Sequence, residues 1–191
     1  MRNCIIVHGC PETRETLVDV GEETYFRHWI PWAKKQLEIA GVKTYVPKMP
    51  VPWKPVYAKY KAKFEKDFGA LINSDTVLIG HSCGCAFLVR WLGDSNCNIC
   101  KLILVAPWKI PPPNNTIKEK FYGFEINKNV RENVRQIIYF TSDNEAKPGK
   151  DSLEMYYSVL GGQIIELHNK GHYTFEDMKN VEFPELVKTV L

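Results

Sequence analysis

The chain has 191 residues, enough for one domain with a sizeable core and rarely enough for two. Hydrophobic residues make up 45% and charged residues 25% of the chain, and the net charge of +3 is small and scattered. No apolar run is long enough to span a membrane. We therefore expect a single domain over residues 1–191, with neither nucleic acid nor membrane as a partner.

The N-terminal apolar stretch is too short for a signal peptide, and the cysteines do not form a recognisable framework. Cys97 and Cys100 form a lone C-x-x-C, without the second pair or the nearby histidines that a zinc site needs. We interpret all the cysteines as reduced thiols of a cytoplasmic protein and expect neither a metal nor a cofactor. They lie at positions 4, 10, 83, 85, 97 and 100.

Short apolar runs along the chain predict six buried strands, at residues 3–8, 43–46, 76–79, 101–106, 135–141 and 163–167. Helical patterns separate them, at residues 25–40, 56–72, a segment ending near Leu92, 151–160 and 183–191. Pro31 fits only a first helical turn, so the first helix is expected to begin near Ile30. Segment 107–134 is the least regular, with short helical turns at 116–121 and 129–134. The alternation predicts a parallel sheet with helices on both faces and ligands beyond the carboxyl ends of its strands.

Residues 75–92 read DTVLIGHSCGCAFLVRWL and contain the pattern G-x-S-x-G between a strand and a helix. A serine on such a sharp turn has a strained backbone, and side chains two residues away would collide with it. Gly80 and Gly84 remove those side chains. The first turn of the following helix offers free N–H groups and a dipole that favours negative charge. This context predicts a nucleophile elbow with Ser82 as the nucleophile, whereas the alternative is an ordinary glycine-rich turn.

A serine hydroxyl needs a base, and the base needs an orienting carboxylate. Among five histidines, His172 follows the last predicted strand and is the expected base. His168 lies so close to that strand that it is expected to point into the packing. His8 is expected to support the loop after the first strand, and His81 to face away from the serine.

Asp143 directly follows the fifth predicted strand and is the expected acid. Glu145, two residues later, is the nearest rival. Asp151 is interpreted as a helix N-cap, with Glu154 at the capping-box position. The chain order Ser82, Asp143, His172 is the order that a nucleophile elbow of this kind requires.

An oxyanion hole needs two N–H donors directed at the developing negative charge. The first expected donor is the backbone N–H of Cys83, the residue after the nucleophile. The second should come from the loop after the first strand. Because Pro11 has no N–H, Cys10 is the candidate, and Gly9 gives this turn its freedom.

The elbow, the His8-Gly9 turn, the Thr141-Ser142-Asp143 strand end and the Gly171-His172 loop together resemble the α/β-hydrolase superfamily. The small size resembles its compact YdeN-like and retinoblastoma-binding-protein-9-like serine hydrolases. The resemblance covers essentially the whole chain and implies an α/β three-layer sandwich with little or no cap. It also implies a parallel sheet of about six strands in the order 2-1-3-4-5-6.

By this resemblance, Ser82, Asp143 and His172 are the catalytic triad. Two stretches depart from the family. Asn144-Glu145-Ala146 follows Asp143 where a second acidic residue and a proline–aromatic pair are common, and Cys10-Pro11 stands where smaller residues are common.

The expected activity is that of a metal-independent, carboxylesterase-like serine hydrolase, which cleaves small esters or thioesters through an acyl-enzyme. The alternative is a hydrolase-fold protein that binds a partner protein and has a vestigial site, and the complete set of three residues argues against it. Trp53 and Trp108, both in Pro-Trp-Lys loops, are hypothesised to wall an acyl or aryl pocket with Lys54 or Lys109 at its rim. The alternative is that both rings pack under their own loops.

Overall fold

In a computed structural model of the protein, the described residues are 3–11, 28–95 and 97–191. Their strands are β1 (Asn3–Val7), β2 (Lys43–Tyr45), β3 (Val77–His81), β4 (Ile99–Val105), β5 (Val134–Ser142) and β6 (Gln163–Leu167). These strands form one sheet in the order β2-β1-β3-β4-β5-β6, and every neighbouring pair is parallel. The predicted strands and their order are confirmed.

The helices of the described residues are α1 (Ile30–Ile39), α2 (Tyr57–Phe68), α3 (Cys83–Asp94), α4 (Thr116–Tyr122), α5 (Asn129–Asn133), α6 (Lys147–Leu160), α7 (Phe175–Met178) and α8 (Pro184–Val190). Among them, none is both long and apolar enough to cross a bilayer. Helix α1 begins at Ile30 with Pro31 in its first turn, as expected. The earlier part of this predicted helix, at residues 25–27, lies outside the described residues.

Helices cover both faces of the sheet, and the alternation along β1 shows why the residues from Cys4 to Val7 are all apolar. Ile5 and Val7 pack on one face with side chains of α2, α3 and α6. Cys4 and Ile6 pack on the opposite face with side chains of α1 and α8. All of these β1 side chains are fully buried, as parallel strands between two helical layers require.

Two helix predictions need correction. Helix α6 begins at Lys147 rather than at Asp151, because Pro148 lies in the first turn, where no N–H is needed. Asp151 is therefore inside the helix, where it pairs with Lys147 one turn earlier. The short helix α7 was not expected; the side chain of Thr174 caps it by accepting a hydrogen bond from the backbone N–H of Asp177.

Candidate active site

Ser82 lies at the sharp turn between β3 and α3, with a backbone φ of 52° and ψ of −118°. This left-handed φ is strained for a residue with a side chain. A Cβ at position 80 would lie 2.7 Å from the backbone nitrogen of Cys85, and one at position 84 would lie 2.3 Å from the carbonyl oxygen of Val7. Both positions therefore require glycine, which is the physical reason for the motif.

His172 reaches Ser82 from the loop after β6. Its Nε2 atom lies 2.9 Å from Ser82 Oγ. The loop is fixed by backbone N–H donors: that of His172 bonds to Asp177 Oδ2 at 2.8 Å, and that of Gly171 bonds to Asn144 Oδ1 at 2.8 Å. The structure thus brings together the expected nucleophile and base, which are ninety positions apart in the chain.

Glu145 provides the carboxylate beside His172. His172 Nδ1 lies 2.9 Å from Glu145 Oε2, and the other carboxylate oxygen accepts the N–H of Ala146 at 2.8 Å. The Glu145 side chain is only 2% exposed. A Cβ on Gly149, one helical turn later, would lie 2.7 Å from Glu145 Cδ, so this glycine leaves room for the carboxylate. A carboxylate at this position favours the tautomer with the proton on Nδ1, in which Nε2 is a hydrogen-bond acceptor.

Asp143, the expected acid, does not contact His172. Its carboxylate is 38% exposed and bonds to His168 Nδ1 and to the backbone N–H of Asn169, the latter at 2.8 Å. These two donors, the Asn169 amide foremost, lower the pKa of Asp143. The expected Asp143–His172 pair is therefore replaced by a Glu145–His172 pair. His168 is also corrected, because it is 80% exposed rather than packed inward.

The reach of the side chain explains the difference between the two acids. Position 143 directly follows β5 and joins the pairing with β6, since its backbone N–H bonds to the carbonyl of Leu167 at 3.2 Å. Position 145 lies in the turn that follows position 143, at the cavity. From there a glutamate side chain is long enough to reach the imidazole of His172. Two features of the sequence pointed to Glu145 as the partner of His172. It is the next acidic residue after Asp143, and Gly149 leaves room for its carboxylate.

Two other histidines lie close to the site, and both are buried in neutral form. His8 donates from Nδ1 to the carbonyl of Gly9 at 2.7 Å and accepts from the backbone N–H of Met49 at 3.0 Å, so it supports the loop after β1 as expected. Burial lowers its pKa to about 4. His81 donates to the carbonyl of His172 at 2.9 Å, and burial lowers its pKa well below the ordinary value. Neither is placed to serve as the base.

Cys10 and Cys83 form a disulfide, so the expectation that all six cysteines are reduced is wrong. Cys10 lies in the loop after β1 and Cys83 is the first residue of α3, with their Cα atoms 5.6 Å apart. The close contact at Gly84 brings these two segments together. The other cysteines described, at positions 4, 85, 97 and 100, are free.

The disulfide links the two residues whose N–H groups are the expected oxyanion donors. The first N–H groups of a helix have no acceptor within the helix, and Cys83 is in that position. The loop that carries Cys10 lies against the nucleophile, since a Cβ on Gly9 would be 3.2 Å from Ser82 Cβ. The donor roles of Cys83 and Cys10 remain predictions.

A cavity of about 700 Å³ opens above Ser82 and His172. One wall is apolar and includes Trp108, Ile110 and Pro111. The Trp108 ring lies edge-on to that of His172, with centroids 5.2 Å apart. Trp108 therefore lines the cavity as expected.

Trp53 and the two candidate rim lysines do not line the cavity, contrary to the hypothesis. Trp53 is half-buried and Lys54 exposed within their own loop. Lys109 is buried, and its ammonium group donates to the carbonyl oxygens of Tyr122 and Phe124 at 2.6 and 2.7 Å. Burial lowers the Lys109 pKa to about 8. Among the described residues, no cluster of three or more histidine, cysteine or acidic side chains could hold a metal ion.

Comparison with known proteins places the chain in a family. A family model described as serine hydrolase matches residues 21–188. No curated protein matches the chain significantly.

Solved structures share the fold. The ydeN gene product of B. subtilis has 19% identity and a TM-score of 0.82, and the alignment covers 100% of this chain and 97% of that one. Est1E from Butyrivibrio proteoclasticus has 13% identity and a TM-score of 0.65, over 99% and 85% of the two chains. A Paleococcus ferrophilus monoacylglycerol lipase has 11% identity and a TM-score of 0.62, over 98% and 91%. At these identities the likeness concerns the fold.

Proposed function

We propose that this chain, which belongs to the serine hydrolase family, cleaves small carboxylic esters or thioesters through a Ser82–His172–Glu145 triad. The observation that carries the proposal is the continuous line of contacts in one cavity. Ser82 Oγ lies 2.9 Å from His172 Nε2, and His172 Nδ1 lies 2.9 Å from Glu145 Oε2. Both distances are those of hydrogen bonds, as nucleophile activation requires.

In the proposed reaction, Ser82 attacks the ester carbonyl carbon while its proton passes to His172 Nε2. Glu145 stabilises the imidazolium that forms and keeps the ring in one orientation. His172 then protonates the leaving alcohol or thiol as the carbon–oxygen or carbon–sulfur bond breaks. Water, with its proton taken by His172, hydrolyses the resulting acyl-enzyme and restores Ser82.

The start of α3 supports the negative charge of the tetrahedral intermediate in this proposal. The backbone N–H of Cys83 is one donor, and that of Cys10 is the second. The helix dipole of α3, a helix of 12 residues, adds to the stabilisation at Ser82. Pro11 follows directly and offers no N–H, so the donor on this loop is Cys10.

The walls of the cavity support esters rather than peptides as substrates. The apolar side near Trp108 and Ile110 suits an acyl or aryl group. Among the structural relatives, one is named a monoacylglycerol lipase, and that activity is in the same broad class. The proposal does not extend to the expected cytoplasmic location, because that expectation depended on reduced cysteines, whereas Cys10 and Cys83 form a disulfide.

Labelling with a fluorophosphonate probe tests the proposed function. The probe should attach covalently to wild-type protein and not to Ser82→Ala, and the wild type should hydrolyse 4-nitrophenyl esters of short chain length. Ser82→Ala should lower kcat by at least about a thousandfold. Absence of labelling in the folded wild type, or equal labelling of Ser82→Ala, would contradict the proposal and favour a protein-binding role with a vestigial site.

A further inference from the structure

Lys118 lines the same cavity as Ser82, His172 and Glu145. It belongs to α4, in the segment between β4 and β5, and is only 9% exposed. Most lysine side chains are exposed, so this degree of burial is unusual for a lysine. No acceptor among the described residues lies within hydrogen-bonding distance of that group, in contrast to Lys109, whose ammonium group is bonded to two carbonyls.

The position of Lys118 is set by the packing of its helix. Asn115 caps α4 by accepting the backbone N–H of Lys118 at 3.0 Å. Phe121, in the same helix, is 2% exposed and packs against the ring of Tyr60, with centroids 5.4 Å apart. Tyr122, one turn after Lys118, lines the cavity as well. The helix is thus anchored in the core with the face that carries Lys118 at the cavity.

The charges around the cavity are not balanced within the described residues. The other formally charged residue of the described lining is Glu145. Its carboxylate is already engaged by His172 and by the backbone N–H of Ala146. The Lys118 ammonium group is therefore free to form a charge-assisted hydrogen bond with an anionic group of a ligand in the cavity.

We propose that Lys118 is a specificity-determining residue that binds a carboxylate on the substrate, so that the preferred substrates are esters with an anionic group. This inference rests on the proposed function, because it concerns the site in which Ser82 reacts. In this proposal the reacting carbonyl lies at Ser82, and the apolar lining, which includes Trp108 and Ile110, contacts the rest of the substrate. The carboxylate lies on either the acyl or the alcohol part of the ester.

The test compares matched esters with the wild-type protein. For the acyl side, the probes are the 4-nitrophenyl monoesters of adipic and suberic acids against 4-nitrophenyl hexanoate and octanoate. For the alcohol side, they are 4-acetoxybenzoate against phenyl acetate. We expect kcat/KM to be about 10- to 100-fold higher for the anionic member in one of the two arms, as for a charge-assisted hydrogen bond. Sodium chloride should reduce that preference.

Lys118→Met removes the charge and keeps the length of the side chain. We expect it to raise KM for the anionic ester about 10- to 100-fold with little change in kcat, because the ion pair involves a part of the substrate that does not react. Hydrolysis of the neutral ester should change by less than about threefold. Lys118→Arg should retain the preference. The matched control is Lys120→Met, an exposed lysine of the same helix, which should behave as wild type.

The outcomes separate this inference from the proposed function. Hydrolysis of the neutral esters by wild type but not by Ser82→Ala supports the proposed function alone. Equal kcat/KM for the anionic and neutral members in both arms overturns the role of Lys118 while that function stands. An equal loss of both substrates in Lys118→Met also overturns it, since the residue would then be structural. If wild type hydrolyses no ester and is not labelled by fluorophosphonate, both conclusions fail.

Discussion

Glu145 and Asp143 are chemically alike but occupy different environments. The Glu145 carboxylate is almost fully buried, and such burial is tolerated because both of its oxygens are bonded. Asp143 is partly exposed and bonds to the backbone N–H of Asn169 at the start of the histidine loop. We infer that Glu145 orients the imidazole, whereas Asp143 helps to hold the loop in place.

Amide variants of the two acids distinguish these roles. Glu145→Gln should lower kcat about a hundred- to ten-thousandfold, because a neutral amide neither stabilises the imidazolium nor fixes the tautomer of His172. Asp143→Asn keeps a hydrogen-bond acceptor for the Asn169 amide and should lower kcat by less than about tenfold. Steady-state hydrolysis of a 4-nitrophenyl ester measures both.

The reverse ranking would contradict the assignment of Glu145. Because a variant can lose activity through unfolding, the thermal midpoint of each should be measured alongside. Glu154→Gln, on the exposed face of α6, is a suitable control for the introduction of an amide and should leave kcat unchanged.

At the scale of residues, the sequence predicted those positions that a short local pattern marks. The glycines around Ser82 predicted its position on the elbow, and the place of His172 after the last strand predicted that it would lie near Ser82. The carboxylate that contacts His172 could not be predicted, because Asp143 and Glu145 both lie close to the end of β5 and only the direction of the turn before α6 decides which one reaches the imidazole. The position of Lys118 at the cavity could not be predicted, because the chain around it has no strong pattern.

At the scale of elements, the loop after β1 and the start of α3 are joined in two ways. Gly84 allows the carbonyl of Val7 to approach the helix closely, and the Cys10–Cys83 disulfide links the same two segments covalently. The link spans a sequence separation of 73 residues. A cross-link over so long a loop restricts the unfolded chain, which stabilises the folded state.

Reduction of this disulfide should lower the stability of the protein. The chain-entropy model gives an upper value of about 4 kcal/mol for a loop of this length. We expect dithiothreitol to lower the thermal midpoint of wild type and to have no effect on a Cys10→Ala/Cys83→Ala variant. Activity should fall as well, since the link fixes the spacing of the two expected oxyanion donors.

Thiol titration in denaturant provides the control. Before reduction, four thiols per chain should react, and after reduction all six should. Cys97→Ser, which removes a half-buried free cysteine, should respond to dithiothreitol as wild type does. Six reactive thiols in unreduced protein isolated from cells would contradict the disulfide and agree with the expected cytoplasmic, reduced state.

The strands could be predicted because each is a continuous apolar run, buried on both faces. The start of α6 could not, because Lys147 and Pro148 are typical of a loop as well as of a first helical turn. The disulfide could not either, since spacing along the chain does not show that positions 10 and 83 meet. It depends on the pairing of β1 with β3, which places the ends of both strands side by side.

At the scale of the whole molecule, the order of the strands could be predicted from the alternation of strands and helices and from the family resemblance. The residues that line the cavity could not be predicted in this way. Its lining comes from loops after several strands and from α4, so no single stretch of sequence describes it. The folding of these loops over the carboxyl edge of the sheet also buries His8 completely. This burial ties the stability of the whole domain to pH.

The domain should lose stability as the pH falls from 6.5 to 4. The pKa of His8 is about 4 in the folded protein against an ordinary value of 6.5, with burial as the main cause, so the unfolded chain binds the proton more tightly. His8 Nε2 accepts the N–H of Met49, and a proton there would remove that acceptor. The stabilisation is thus complete above pH 6.5 and declines below it, by about 3 kcal/mol at pH 4 for this one group. Urea unfolding across this range should show the decline, and His8→Gln should flatten it, while the exposed control His168→Gln should not. Equal slopes for wild type and His8→Gln would show that His8 does not carry the effect.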